Sequence, residues 1–344
     1  MSHVKFRPLG ATGLKVSIPC FGGLHLATKL GPREAEKLVR YAVERGINLF
    51  DTSRAYMDSE EKIGRGLENI RGDILYCTKS MRRDGTIVEE LDASLMALRT
   101  GYVDIYMFHS VDREEDYRSV IRRALPAVER ARQAGKIGLL GLSTHSRRIL
   151  ELSAREGVFD CLQFPFNHAH RAGLADGLGD EIAGKGIGIL AMKPFAGGVL
   201  NDPELAVSFI AQYPWAVPLV GFEKKGEIDQ IISLFENPPP FDERMRARAD
   251  AAVARTGSGF CCGCEYCQPC PQGISVAAIM YYPVIERQYG REKMDAVTLQ
   301  RHFERFENDC DQCRQCESKC PFSLPILEMA PRHHRRFVKL MNGG

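Results

Sequence analysis

Eight of the twelve cysteines in this 344-residue chain fall into two closely spaced runs. The first is Cys261, Cys264, Cys267 and Cys270, followed by Pro271; the second is Cys310, Cys313, Cys316 and Cys320, followed by Pro321. The second run has the C-x2-C-x2-C-x3-C-P spacing that wraps a 4Fe–4S cluster, and the first differs only in its last gap. Such clusters carry single electrons. A zinc site built from two CxxC pairs is the alternative, but zinc takes four thiolates, not two sets of four that each end in Cys-Pro. If the fourth cysteine of each run crosses to the other cluster, Cys261, Cys264, Cys267 and Cys320 hold one, and Cys310, Cys313, Cys316 and Cys270 hold the second. One cluster with leftover thiols is the fallback. Cys262 breaks the ladder and reads as a free thiol.

A second set of residues suits hydride chemistry. Asp51, Lys79 and His109 each end a short apolar run, and Tyr56 lies in the loop after Asp51. A carbonyl that takes hydride at carbon needs a proton at oxygen. A tyrosine hydroxyl can supply it, although its free pKa is about 10. A neighbouring lysine ammonium would ease that proton's departure, and a buried aspartate would hold the lysine charged and in place. A histidine would orient the substrate oxygen. Each residue has a plainer explanation as a helix cap or surface group. Three consecutive run ends presenting such groups on one face are harder to dismiss.

The elements that must position them are legible. Eight short apolar runs, Ile18–Gly22, Ile47–Asp51, Ile74–Thr78, Asp104–His109, Gly138–Ser143, Cys161–Phe166, Ile187–Met192 and Ala216–Gly221, alternate with amphipathic segments such as Arg33–Arg45 and Ile87–Leu98. Runs apolar throughout read as strands of a parallel sheet covered on both faces. Eight strand–helix units predict an α/β fold, a (β/α)8 TIM barrel, whose chemistry sits at the C-terminal strand ends. A doubly wound sheet is the runner-up, weakened by the lack of a G-x-G-x-x-G after the first strand. Cys20, Cys77 and Cys161 lie in strands and read as small core residues. The expected domains are a barrel over 1–240, a helical connector over 241–256 after the NPPP break, and a helical ferredoxin-like iron–sulfur domain over 257–344, ending in a basic, solvated tail.

The segments FDTSRAY (50–56), YCTKS (76–80) and MFHS (107–110) resemble the aldo-keto reductase superfamily. The resemblance covers the barrel, and the whole chain resembles a branch that carries a C-terminal 4Fe–4S dicluster domain. It implies a tetrad of Asp51, Tyr56, Lys79 and His109 with Tyr56 as general acid, and a nicotinamide cofactor, NADPH or NADH, extended across the C-terminal face. It further implies cofactor contacts at Gly22, Ser143, Gln163, Met192 and Gly221. Where the family usually has an arginine and a Glu-Asn pair for the 2′-phosphate, this chain has Lys224 and Lys225, then Asp229, Gln230 and Ile231. A lysine lacks the bidentate fit of arginine.

His25 and the His168/His170 pair also follow strand ends and read as pocket residues; a metal reading lacks a third ligand. Composition is ordinary for a globular chain, 44% hydrophobic and 26% charged with a net charge of +2, and argues for neither nucleic acid nor a membrane surface as partner. No run approaches 18 apolar residues. The N-terminal MSHVKFRPLG lacks the apolar core of a signal peptide, so a cytoplasmic location is expected. The reading that absorbs most features is an oxidoreductase acting on a small carbonyl or alcohol, its clusters passing electrons to or from a ferredoxin- or flavodoxin-like carrier. A cluster-fed enzyme that uses no nicotinamide, and a non-catalytic redox-sensing subunit, are the competing readings.

Overall fold

Eight parallel strands close into a barrel. The structure, a computed structural model, describes residues 4–343 except 69, 71, 73, 170–173, 199, 256–260, 262–266, 292–293 and 321–323. A hairpin comes first, β1 (Lys5–Pro8) and β2 (Lys15–Ile18), paired antiparallel. The barrel strands follow: β3 (Cys20–Gly22), β4 (Leu49–Asp51), β5 (Leu75–Ser80), β6 (Val103–Phe108), β7 (Ile137–Ser143), β8 (Cys161–Pro165), β9 (Gly188–Met192) and β10 (Ala216–Gly221). Each pairs with its sequence neighbour, and β10 closes on β3. The eightfold barrel expected from the alternation is present. The hairpin was not expected: the first apolar run divides at Pro19, which has no N–H to donate to a ladder, and its first residue belongs to β2. The hairpin turn buries Leu9 against Gly188 at the start of β9, closing the N-terminal end of the barrel.

Burial explains why the amphipathic segments fold as they do. The helix Pro32–Glu44 places Ala35, Leu38, Val39 and Ala42 on one buried face, and the Glu34 carboxylate accepts a hydrogen bond from the Gly31 N–H at 3.2 Å. Proline at the first helical position costs nothing there, since that N–H has no partner in the helix. Burying Leu38 is worth about 2 kcal/mol, so Leu38→Ala is the kind of change that would loosen this helix. Cys20, Cys77 and Cys161 are fully buried in the strands, and burial holds their thiols in the protonated form.

The chain divides into two compact units, one of residues 1–195 and 202–242, the other of residues 196–201 and 243–344. The second unit contains the helices Glu243–Arg255, Val276–Tyr289, Ala296–Asp309, Gln315–Ser318 and Ile326–Met341. Its core gathers Ile279, Met280, Tyr282, Phe303 and Phe337. The basic C-terminal segment is not a solvated tail. Phe337 is buried, His334 stacks on Phe303 with ring centroids 4.9 Å apart, and Arg336 makes two contacts to Glu286 at 2.8 and 3.1 Å. The apolar residues at 326, 330 and 337 fall on one helical face, which outweighs the local charge.

Candidate active site

Asp51 is the last residue of β4, and it pairs in register with Cys77 of β5. Lys79 lies two residues beyond Cys77 on the same face of β5, so its side chain reaches across the end of β4. Its Nζ is 2.6 Å from Asp51 Oδ1 and 2.7 Å from the Thr52 carbonyl. Burial opposes the charge on Lys79, but Asp51 and then Tyr56 outweigh it, and the ammonium is held above its ordinary range. The same Nζ sits 5.5 Å from the centre of the Tyr56 ring, and that ring meets His109 edge-on at a centroid distance of 5.5 Å. The four residues expected to work together therefore meet at one end of the barrel, where β4, β5 and β6 finish.

His109 is kept neutral. Burial lowers its pKa well below the ordinary value, and the charges of Lys79, His145 and Arg83 lower it further against the opposing effect of Asp112. Its Nδ1 is 2.9 Å from Ser53 Oγ, and Arg83 donates to the His109 carbonyl and, at 3.0 Å, to that of Ser110. The backbone turns sharply beside these groups. Met57, Ser110 and Lys193, which follow Tyr56, His109 and Met192, all have positive φ (44°, 50° and 58°), a conformation that costs a non-glycine residue energy and tends to gather at functional sites.

The other expected contacts line the same rim. Ser143, the last residue of β7, is paired with Gln163 in the middle of β8. Ser143 Oγ accepts from the Ser110 N–H at 2.9 Å, while Gln163 Oε1 is buried with no hydrogen-bond partner among the described residues. Met192 ends β9 and is half-buried. Gly22 and Gly221 face each other across the β3–β10 seam. A Cβ on Gly221 would lie 3.0 Å from His25, and one on Gly22 would lie 3.3 Å from the Val220 carbonyl, so a side chain at either position would crowd this seam. His25 Nδ1 lies 3.5 Å from Glu223. His168 is buried; His170 lies outside the described residues.

Lys224 and Lys225 are exposed at the start of the helix Lys225–Glu236, and they are not gathered into a cradle. Lys225 Nζ lies over the Tyr41 ring at 4.5 Å. The first turn is already capped: Glu227 Oε2 accepts from the Glu223 and Lys224 N–H groups at 2.8 and 3.2 Å. Asp229 accepts from Tyr41 and from Arg45 at 2.7 Å.

Two polar groupings were not anticipated. Glu60 accepts from Thr78 at 2.6 Å and from Arg54, bracing the strand that carries Lys79. Asp112, His145 and Lys193 form a chain across three strand ends: Asp112 accepts from the His145 N–H at 2.6 Å, and His145 Nε2 is 2.9 Å from Lys193 Nζ. The only signal in the sequence is that Asp112, His145 and Lys193 each closely follow a strand. A recess of about 1090 Å³ opens at the opposite, N-terminal ends of the strands beside Asn48, Tyr102 and Asp104, and holds none of these groups.

The pattern described as the aldo/keto reductase family matches residues 20–204, more than half of the chain. This chain belongs to the aldo/keto reductase family. L-galactose dehydrogenase of Arabidopsis thaliana is 30% identical over 220 residues, covering 59% of this chain and 69% of that protein. An uncharacterized oxidoreductase, YqkF, of Bacillus subtilis is 27% identical over 218 residues, covering 58% and 67%. The holo form of the aldo-keto reductase AKR11C1 from Bacillus halodurans shares the fold, with a TM-score of 0.64 at 21% identity over 73% of this chain and 96% of that one. The chain is an oxidoreductase of this family's type.

The reductase rim fits a nicotinamide at its carboxamide end, where the Ser143 hydroxyl and the orphaned Gln163 oxygen offer hydrogen-bonding partners. It does not fit a 2′-phosphate at the helix Lys225–Glu236, because the Glu227 carboxylate already occupies those N–H groups. In the second unit, Cys261 and Cys267 are buried in the core, and Cys270, Cys310, Cys316 and Cys320 pack against it, while Cys313 is exposed. The thiol donor set suits iron–sulfur ligation. Among the described residues no three Cys, His, Asp or Glu side chains converge as a metal site. Cys262 and Cys264 lie outside the described residues.

Proposed function

We propose that this chain interconverts a small carbonyl compound and its alcohol with NADH or NADPH, and that its cysteine unit carries two 4Fe–4S clusters. The observation that carries the reading is the buried Lys79, 2.6 Å from Asp51 and beside the Tyr56 ring, in a chain of this family. Bound nicotinamide would supply the hydride. Tyr56 gives its hydroxyl proton to the carbonyl oxygen as that oxygen gains charge, and Lys79 stabilises the phenolate left behind. Asp51 holds Lys79 in place, and neutral His109 donates a hydrogen bond to the same oxygen and orients it. The family's use of nicotinamide, together with Ser143, Gln163, Met192 and the Gly22/Gly221 seam, supports the cofactor half. Lys224 and Lys225 are the cations at that helix start that a 2′-phosphate would meet first.

The spacing of Cys261, Cys264, Cys267, Cys270, Cys310, Cys313, Cys316 and Cys320 supports the cluster half. Clusters held there would exchange single electrons with a ferredoxin- or flavodoxin-like carrier in the cytoplasm. No helix among the described residues is long and apolar enough to cross a membrane. A cluster-fed enzyme without nicotinamide is the second reading, and the Glu227 cap and Met192 favour it.

Anaerobic calorimetric titration of the cluster-loaded protein with NADH and NADPH separates the two. Micromolar binding of either, with carbonyl turnover lost in Tyr56→Phe, upholds the first reading. No binding at millimolar concentration moves the function to the second. Iron and acid-labile sulfide near zero in anaerobically purified protein would remove the clusters from both.

A further inference from the structure

We propose that Lys193 forms an anion subsite at the reductase rim, held there by Asp112 through His145, and that the substrate is a carbonyl compound carrying a carboxylate. The proposal names the substrate class of the reductase site and rests on that reading, whereas the anion subsite rests on geometry alone.

Lys193 directly follows the end of β9, and its half-buried side chain reaches His145, two residues past the end of β7. β8 lies between those two strands. Two strand spacings amount to about 10 Å, so the side chain crosses the barrel mouth past the end of β8. The position is built rather than incidental. Lys193 has a φ of 58°, which costs a non-glycine residue energy, and Asn167 fixes its backbone by donating to the Lys193 carbonyl at 2.9 Å.

Hydrogen-bond chemistry sets the charges along the chain. An ammonium can only donate. His145 Nε2, 2.9 Å from Lys193 Nζ, therefore accepts, and the neutral ring keeps its hydrogen on Nδ1, 3.4 Å from Asp112 Oδ2. The converse, a neutral amine accepting from Nε2–H, would turn the Nδ1 lone pair onto the Asp112 carboxylate. Asp112 also accepts from the His145 N–H at 2.6 Å and from the Thr144 hydroxyl at 3.0 Å. The imidazole stands between the two charges, so Asp112 orients the ammonium through the ring rather than by a direct ion pair. The Asp112 and His145 side chains are 12% and 13% exposed, and little water screens the arrangement.

Place on the rim selects the ligand. Asp112 is three residues past His109, and Ser143 joins the two strand ends by accepting from the Ser110 and Val111 N–H groups, each at 2.9 Å. The ammonium is thus anchored on the side of the mouth that holds His109. β3 lies opposite β7 in the barrel. An anchor at β7 therefore faces the reacting end of a cofactor that extends toward the Gly22/Gly221 seam, not its diphosphate. Arg83, on the same side, is turned to the His109 and Ser110 carbonyls. A carboxylate carries the single negative charge that one ammonium balances.

The test uses the full-length, cluster-loaded chain and two aldehydes, 4-carboxybenzaldehyde and 4-oxobutanoate, each against its methyl ester. At least one acid should exceed its ester in kcat/KM by about tenfold or more, and Lys193→Met should bring that ratio near one by raising the KM of the acid. Lys193→Arg should keep a preference for the acid. His145→Leu should weaken the preference through the same KM, and His145→Gln, which keeps an acceptor, should restore it. Equal kcat/KM for both acids and their esters in the wild type overturns the proposal, whether or not the variants fold. So does an acid preference that survives Lys193→Met. Weaker NADH or NADPH binding by Lys193→Met in calorimetry, with the ratio unchanged, also overturns it and assigns the ammonium to the cofactor's diphosphate. Absence of any wild-type carbonyl turnover would instead sink the reductase reading. Calorimetric titration with 4-(hydroxymethyl)benzoate would then decide the anion subsite by itself: binding lost in Lys193→Met upholds it, and no binding overturns it.

Discussion

Lys79 and Asp51 form an ion pair shut off from water, with Nζ and Oδ1 2.6 Å apart and side-chain exposures of 0% and 5%. Removing one partner strands a buried charge, while removing both strands none. Lys79→Met should destabilise the fold by about 3–5 kcal/mol, and the double variant Asp51→Asn/Lys79→Met should recover most of that loss. Chemical denaturation of the three proteins measures it. Equal stability of Lys79→Met and wild type would mean that the pair is not buried in solution.

Tyr56 is half-buried, with its ring against both Lys79 and His109. Removing its hydroxyl leaves those ring contacts in place. Tyr56→Phe should therefore fold normally and bind nicotinamide as before, with kcat for carbonyl reduction down about 10²–10⁴-fold. Steady-state kinetics beside a binding titration would show it, and retained turnover would move the proton donor elsewhere.

His109 and His145 are both lowered below the ordinary histidine value, each by burial first, and then by Lys79 and Arg83 for His109 and by Lys193 for His145; Asp112 opposes both. Their unfolded pKa is about 6.5. Between the folded and unfolded values the unfolded chain binds more protons, so stability rises with pH there and falls as pH drops below about 6.5. The Tm should decline from pH 7 to pH 5, and His109→Gln should flatten that decline. A Tm indifferent to pH over this window would show that the rings are not buried neutral.

Glu227 sets a carboxylate on the helix start where a 2′-phosphate would seek N–H donors. NADH should bind more tightly than NADPH, and Glu227→Gln should narrow the gap by removing a negative charge beside Lys224 and Lys225. Fluorescence titrations at low and high salt would read the change. Preference for NADPH in the unmodified protein would place its phosphate elsewhere.

Strands and their order were legible because a parallel barrel strand is apolar on both faces, and that shows in a run as short as Ala216–Gly221. Asp51, Lys79 and His109 were legible because each ends such a run, and the spacing in FDTSRAY places Tyr56 one turn further on. The cysteine runs were legible because their spacing is local. The β1–β2 hairpin escaped notice because its alternation is short and its first strand largely exposed. The basic C-terminal segment misled because charge density is local, whereas the burial of Phe337 depends on helices that lie distant in sequence.

The sequence by itself determined which groups are available, a tyrosine hydroxyl, a lysine and an aspartate at or near strand ends and eight clustered thiols, because residue type and short spacing are covalent facts. Only the tertiary structure decided that the Lys79 ammonium lies buried on Asp51, that Glu227 fills the helix start before any phosphate can, and that Ser53 meets His109. Those relationships join residues from 3 to 56 positions apart, and their energies depend on distances and on excluded water, which exist only once the barrel has closed.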